Sequence, residues 1–115
     1  MEALTQKRLL IEQVCDAVCT EYGIDIDRIF GKDRHKKVSD ARVLIIYILH
    51  KDLKLSTPFL AQEFNRSTSW VLKKCATKKQ HIAMYDDCYD EHERFLKLIE
   101  KSKSFSWFWS FSFFH

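Results

Sequence analysis

Apolar side chains recur every three or four positions through the first fifth of the chain, at Leu4, Leu10, Ile11, Val14, Cys15, Val18, Cys19 and Tyr22. That spacing predicts one amphipathic helix, and Gly23 supplies its stop signal. Asp25 can cap a short helical turn that carries Ile26, Ile29 and Phe30 inward before Gly31 ends it. Residues 32–37 contain nothing apolar and predict an exposed basic loop. Ser39 or Asp40 can begin the next helix, whose apolar run at 43–49 covers almost the whole circumference, so it is expected to be the most buried of the chain. A run of this length also suits a central strand, but it has no second such run to pair with, and the flanking pattern is helical.

Farther along, Ser56, Thr57 and Pro58 give a helix start, with a hydroxyl at the cap and proline in the first turn, where its missing N–H costs nothing. The helix they open is short and runs to about Phe64. Asn65 and Arg66 make a turn, and Ser67 or Thr68 can cap a second helix through Trp70, Val71, Leu72, Cys75 and Ala76. A short helix, a tight turn and a second helix with a basic outer face form the pattern of a helix-turn-helix, here over about 56–79 with its second helix at about 67–79. A last long helix is expected from about Gln80 to Lys101, with Met84, Cys88, Phe95, Leu96 and Ile99 on its inner side. The whole predicts an all-α domain over 1–101, a compact bundle of about six helices, followed by an aromatic and serine-rich tail at 102–115.

Composition agrees: two glycines and one proline in 115 residues are too few for the turns of an all-β fold. The formal net charge of +3 hides a strong segregation. Residues 1–30 carry −3, 31–54 carry +4, 65–79 carry +5 with no acid at all, and 84–100 carry −4. Two basic blocks between acidic flanks suit a chain with one nucleic-acid-facing side. Solvated helix faces would show similar charges.

The chemistry available at those blocks is that of duplex recognition. The second helix of such a pair enters the major groove with its first residues against base edges, while basic loops hold phosphates. Arg66, Ser67, Thr68, Ser69 and Trp70 stand at that leading end. Arg66 can donate bidentately to guanine, the hydroxyls can pair with bases or phosphate, and Trp70 can pack on a thymine methyl or a sugar. Capping is an equal role for Ser67 and Thr68, and core packing for Trp70. Lys73 and Lys74, one turn on, meet phosphates or solvent.

Catalysis and metal binding find little support. The five histidines lack a serine or cysteine partner at a recognisable spacing, and the acid pairs Asp25/Asp27 and Asp86/Asp87 fit caps or solvated faces. Cys15/Cys19 and Cys88/His92 have helical i, i+4 spacing but lack the short knuckle of common zinc sites, so no cofactor is expected and the cysteines read as small buried hydrophobes. With no signal peptide legible at the start, a reducing cytoplasmic, nucleoid-associated setting is the expectation, without disulfides.

The run Gly-Lys-Asp-Arg-His-Lys-Lys-Val-Ser-Asp-Ala-Arg at 31–42, and the spacing from Arg42 through Ser56 and Pro58 to Phe64, resemble the C-terminal DNA-binding domain of the bacterial replication initiator DnaA. The resemblance covers roughly 14–79 and implies a Trp-repressor-like helical fold that binds double-stranded DNA. It implies that Arg34 enters the minor groove and that Lys32, Lys36 and Arg42 touch the backbone, with His35 and Lys37 in the same basic stretch. The chain departs from the family where bases are read: Ser67, Thr68, Ser69 and Trp70 replace Asp-His-Thr-Thr, and the turn before Arg66 is one residue shorter. A different or weaker sequence preference is therefore expected. Nothing in the 115 residues resembles Gly-x-x-x-x-Gly-Lys-Ser/Thr, so the reading is a free-standing module with a regulatory or accessory role in replication or transcription, not an origin-melting ATPase.

Seven of the sixteen aromatics lie at 105–114. This stretch is too short to span a bilayer as a helix, which takes ~20 apolar residues. It reads as an interfacial membrane contact, a self-association strand, a flap over the domain, or a chain end with no evolved role. A protein-interaction module with this tail as its docking segment is the alternative to DNA binding.

Overall fold

The computed structural model describes residues 2–100, with side chains from Leu4 onward. The domain boundary near 101 and the tail at 102–115 lie outside the described residues. Within them the fold is all helical: α1 (Glu2–Tyr22), α2 (Ile26–Phe30), α3 (Lys36–Tyr47) running into a wide π-type turn (Ile48–Asp52), α4 (Thr57–Glu63), α5 (Thr68–Met84) and α6 (Asp86–Glu100).

The apolar stripe of α1 is the floor of the core, with Val14, Cys15 and Val18 fully buried. Its end is a Schellman turn: Gly23 takes φ +65°, and the Ile24 N–H reaches back to the Cys19 carbonyl at 2.9 Å. Asp25 caps α2 by accepting from the Asp27 N–H at 3.2 Å, and Ile29 is wholly buried. Ile26 and Phe30, expected inward, are each about a third exposed, because one turn of helix has room for only one central contact. Phe30 still stacks on Phe64 at 4.9 Å.

The third helix starts at Lys36, earlier than the expected Ser39 or Asp40. Its cap is an imidazole: the Lys37 N–H donates to His35 Nδ1 at 3.3 Å, while Asp33 Oδ1 accepts the His35 N–H at 2.9 Å. Lys36 and Lys37 are thus the first turn of α3, not loop. From Ala41 on, α3 is apolar nearly all round, and Leu44, Ile45, Ile46, Ile48 and Leu49 are fully buried. The helix ends by widening, with the Leu53 N–H bonded to the Ile48 carbonyl at 3.1 Å.

Ser56 caps α4 by accepting from the Phe59 N–H, with Pro58 in the first turn. A second Schellman turn closes it, this time with Asn65 in the left-handed position at φ +53° and the Arg66 N–H on the Ala61 carbonyl at 2.8 Å. Ser67 then caps α5, accepting from the Trp70 N–H at 3.1 Å. Four residues, 64–67, therefore make the whole turn between the two helices, and Leu60, Ala61, Val71 and Cys75 on them are buried.

Two expectations for the last third are corrected. The fifth helix runs to Met84, five residues past Lys79, because no glycine or proline interrupts it. The break falls at Tyr85, which is extended at φ −122°, ψ 124°, so the last helix begins at Asp86 and not Gln80. Its two leading aspartates lie where the helix dipole favours them. Met84, expected on an inner face, is 69% exposed at this corner. Phe95 and Ile99 are buried as expected, and His92 joins them, its Nε2 2.8 Å from Asp52 and its ring edge-on to Tyr47.

Candidate nucleic-acid interface

The loop between α2 and α3 is built from inside by one arginine. Arg42, only 3% exposed, donates Nε to the Ile29 carbonyl at 2.7 Å and Nη2 to the carbonyls of Arg28, Gly31 and Asp33 at 3.0, 3.2 and 3.2 Å. Burial, reinforced by Arg66 nearby and opposed by Asp33, pulls its guanidinium below the ordinary arginine range. Arg42, expected against a DNA backbone, is instead nearly fully buried, with Nε and Nη2 committed to carbonyls of this chain. On the loop's outer edge Arg28 pairs with Asp33 at 2.7 Å. The His35 N–H, followed by Arg28, holds the Asp33 carboxyl below the usual carboxylate range.

Arg66 carries this frame across to the helix-turn-helix. Its Nη2 donates to the Gly31 carbonyl at 2.8 Å, the same oxygen that Arg42 uses, and its Nη1 donates to the carbonyls of Phe64 and Asn65 at 3.2 Å each. Its guanidinium also lies over the Trp70 ring at 5.3 Å. The expected bidentate reading of guanine by Arg66 would break three hydrogen bonds, so the side chain works here as a strut between loop and turn.

Between the loop and the start of α5 lies a groove of about 400 Å³ with Arg42 and Arg66 in its wall, lined also by Lys32, Asp33, Arg34, Ser39, Asn65, Trp70 and Lys74. Trp70 is half-buried against the core and forms one wall, so both expected roles are open to it; Lys74 Nζ lies 5.9 Å from its ring. Lys32 and Arg34 are exposed at the rim and form no ion pair among the described residues. Lys36 and Lys37 do not join the groove. Lys36 pairs with Asp40 at 3.2 Å, and Lys37 lines a separate depression with Tyr22 and Glu91. His35 is occupied as the cap of α3.

On α5, Ser67 is the cap and Thr68 is half-buried, whereas Ser69, Leu72, Lys73 and Ala76 share the outward face. The sequence names Leu72 and Ala76 among the apolar residues of this helix without assigning them a face. Helical phase could have placed them outside: once Val71 and Cys75 are buried, positions three and seven after Ser69 must face away.

The geometry is that of a helix-turn-helix whose second helix is flanked by a basic loop. The family model described as the bacterial dnaA protein helix-turn-helix matches residues 11–78, more than half of the chain. The chain belongs to this family. That membership implies DNA binding, and the match runs from the second half of α1 through most of α5 but not α6. The chain is also 29% identical over 75 residues to the chromosomal replication initiator protein DnaA of Synechococcus sp. (strain JA-2-3B'a(2-13)), a stretch that covers 64% of this chain and 16% of that protein. It thus spans about a sixth of the length of that relative. No group of three or more His, Cys, Asp or Glu among the described residues is placed to hold a metal ion, and no helix among them is long and apolar enough to cross a membrane.

Proposed function

We propose that this DnaA-type helix-turn-helix binds double-stranded DNA as a module without catalysis of its own, with the start of α5 in the major groove and the 32–35 loop on the backbone and adjoining minor groove. The role that follows is regulatory or accessory, in replication or transcription. One observation carries the reading: Lys32, Arg34 and Lys73 are exposed without carboxylate partners beside a helix-turn-helix, whereas Arg8, Lys78 and Arg94 are each paired with a glutamate. Unpaired cations repel one another, and a line of phosphates is the ligand that relieves this.

In this arrangement Lys32 and Arg34 meet phosphates or the minor groove, Lys73 and Lys74 meet phosphates along α5, and Ser69 with Thr68 faces base edges. Trp70 offers its exposed edge to a sugar or thymine methyl. Arg42 and Arg66 act as positioning residues that set the distance between loop and helix. Selection of bound duplexes from a random pool at ~50 mM salt tests the proposal. A recovered, salt-sensitive preference supports it, and no retention of any duplex overturns it.

A further inference from the structure

Charge alone does not tell one base pair from another, and Arg66, the side chain best suited to bidentate reading, is held by three carbonyls. The outward face of α5 offers something else. At 100° per residue, Ser69, Leu72, Lys73 and Ala76 fall within an arc of about 100°, over the leading turns of the helix. Leu72 is 53% exposed, whereas its neighbour Val71 is fully buried. A single exposed leucine is ordinary on a protein surface. This one is singled out by its place, at the edge of the arc it shares with Ala76, Ser69 and Lys73 on the face that a helix-turn-helix turns toward base edges.

We propose that Leu72 is a specificity-determining residue that reads the 5-methyl group of a thymine in the major groove, with Ala76 extending the same apolar strip one turn on. The proposal rests on the DNA-binding reading above. In the major groove the four base pairs differ in donors, acceptors and one apolar feature, the thymine methyl, which projects where cytosine presents only a ring hydrogen. A branched aliphatic side chain has no hydrogen-bonding capacity, so that methyl is the one base-edge group it can distinguish. Lys73 beside it pays the electrostatic part of the contact by meeting phosphate.

The test compares thymine with deoxyuridine, which lacks the methyl and leaves all hydrogen-bonding groups unchanged. A duplex recovered by selection is synthesised with each thymine in turn replaced by deoxyuridine, and affinities are measured for the full chain and for Leu72→Ala and Leu72→Met. The wild type is expected to bind about fourfold more weakly at one replaced thymine, the loss of a single buried methyl contact. Leu72→Ala should bind the two duplexes equally, and Leu72→Met should keep the discrimination. As Leu72 is exposed, both variants should fold, which circular dichroism checks. The same thymine-to-uridine ratio in wild type and Leu72→Ala, or no sensitive thymine at all, overturns the Leu72 assignment and leaves the DNA-binding reading standing. Failure of the wild type to bind any duplex overturns both.

Discussion

The cations on the α1–α6 side of the domain and those around the groove are the same residue types in opposite circumstances. On the first side, Arg94 meets Glu21 at 3.3 Å and Lys78 meets Glu91 at 3.3 Å. Tyr22 adds a hydroxyl bond to Glu91. At the groove and on α5 beside it, Lys32, Arg34 and Lys73 have no carboxylate partner, and buried Arg42 and part-buried Arg66 donate to backbone carbonyls. Glu91 of α6 takes both Lys78 of α5 and the Tyr22 hydroxyl of α1, while at the groove Asp33 is held by Arg28 and leaves Lys32 and Arg34 unpaired. Segregated charge in the sequence becomes a two-sided molecule because of where α6 packs.

If this contrast is right, removing an inward-turned arginine should damage the fold, and removing an outward one should damage only binding. Arg42→Ala strips four carbonyls of their donor and should cost at least ~3 kcal/mol, since hydrogen bonds from a charged group are the strong ones. Thermal unfolding should show a melting temperature lower by roughly 10 °C or more. Arg42→Lys should fail to rescue, because an ammonium cannot reproduce the guanidinium fork. A folded, fully stable Arg42→Ala protein would remove the distinction between the two sets.

Alkaline titration sharpens the same contrast on the dry side of the domain. Burial, then the neighbouring Cys19, pushes the Cys15 thiol far above its ordinary value of 9.0. The unfolded thiol therefore loses its proton first, and stability should fall as pH rises beyond about 9, by about 1.4 kcal/mol per pH unit for this one group. Tyr22 and Tyr47, both raised chiefly by burial, add to the loss above pH about 10. Denaturant unfolding of wild type and Cys15→Ala at pH 8, 9 and 10, taken as approximate settings, checks this; equal pH slopes would contradict it.

A smaller effect separates the two serines at the head of α5. Ser67→Ala removes the cap and should cost about 1 kcal/mol of stability. Ser69→Ala touches no hydrogen bond within the domain and should change stability by less than about 0.5 kcal/mol while altering preference among duplexes. Chemical denaturation beside competition binding distinguishes them, and equal stability losses would dissolve the assignment of cap and contact.

Much of the architecture was legible because it rests on local rules. Asp25, Ser56 with Pro58, and Ser67 cap the helices their side-chain chemistry suits, and the stripe from Leu10 to Cys19 forms the core its period predicts. The start of α3 was not legible, because an imidazole nitrogen did the work usually given to a hydroxyl or carboxylate. The joint at Tyr85 carries no glycine or proline to mark it. At the candidate site, sequence shows that a residue is charged but not what it touches. Arg42 was therefore expected on the DNA backbone and Arg66 at base edges, although hydrogen bonds tie both to backbone carbonyls, and Lys37 was placed with the loop although it lines a depression with Glu91.

The central claim is that the open cations, and not the paired ones, meet DNA. Its most direct test is the dependence of duplex affinity on salt for wild type, Arg34→Ala and Arg94→Ala. Each phosphate contact contributes a slope of about −0.9 in log affinity against log salt, so Arg34→Ala should be shallower than wild type by about that amount and roughly eightfold weaker at ~0.1 M salt. Arg94→Ala should match the wild-type slope and, as an exposed pair, cost no more than about 0.5 kcal/mol of stability. Identical slopes for wild type and Arg34→Ala, or a shallower slope for Arg94→Ala, would contradict the account.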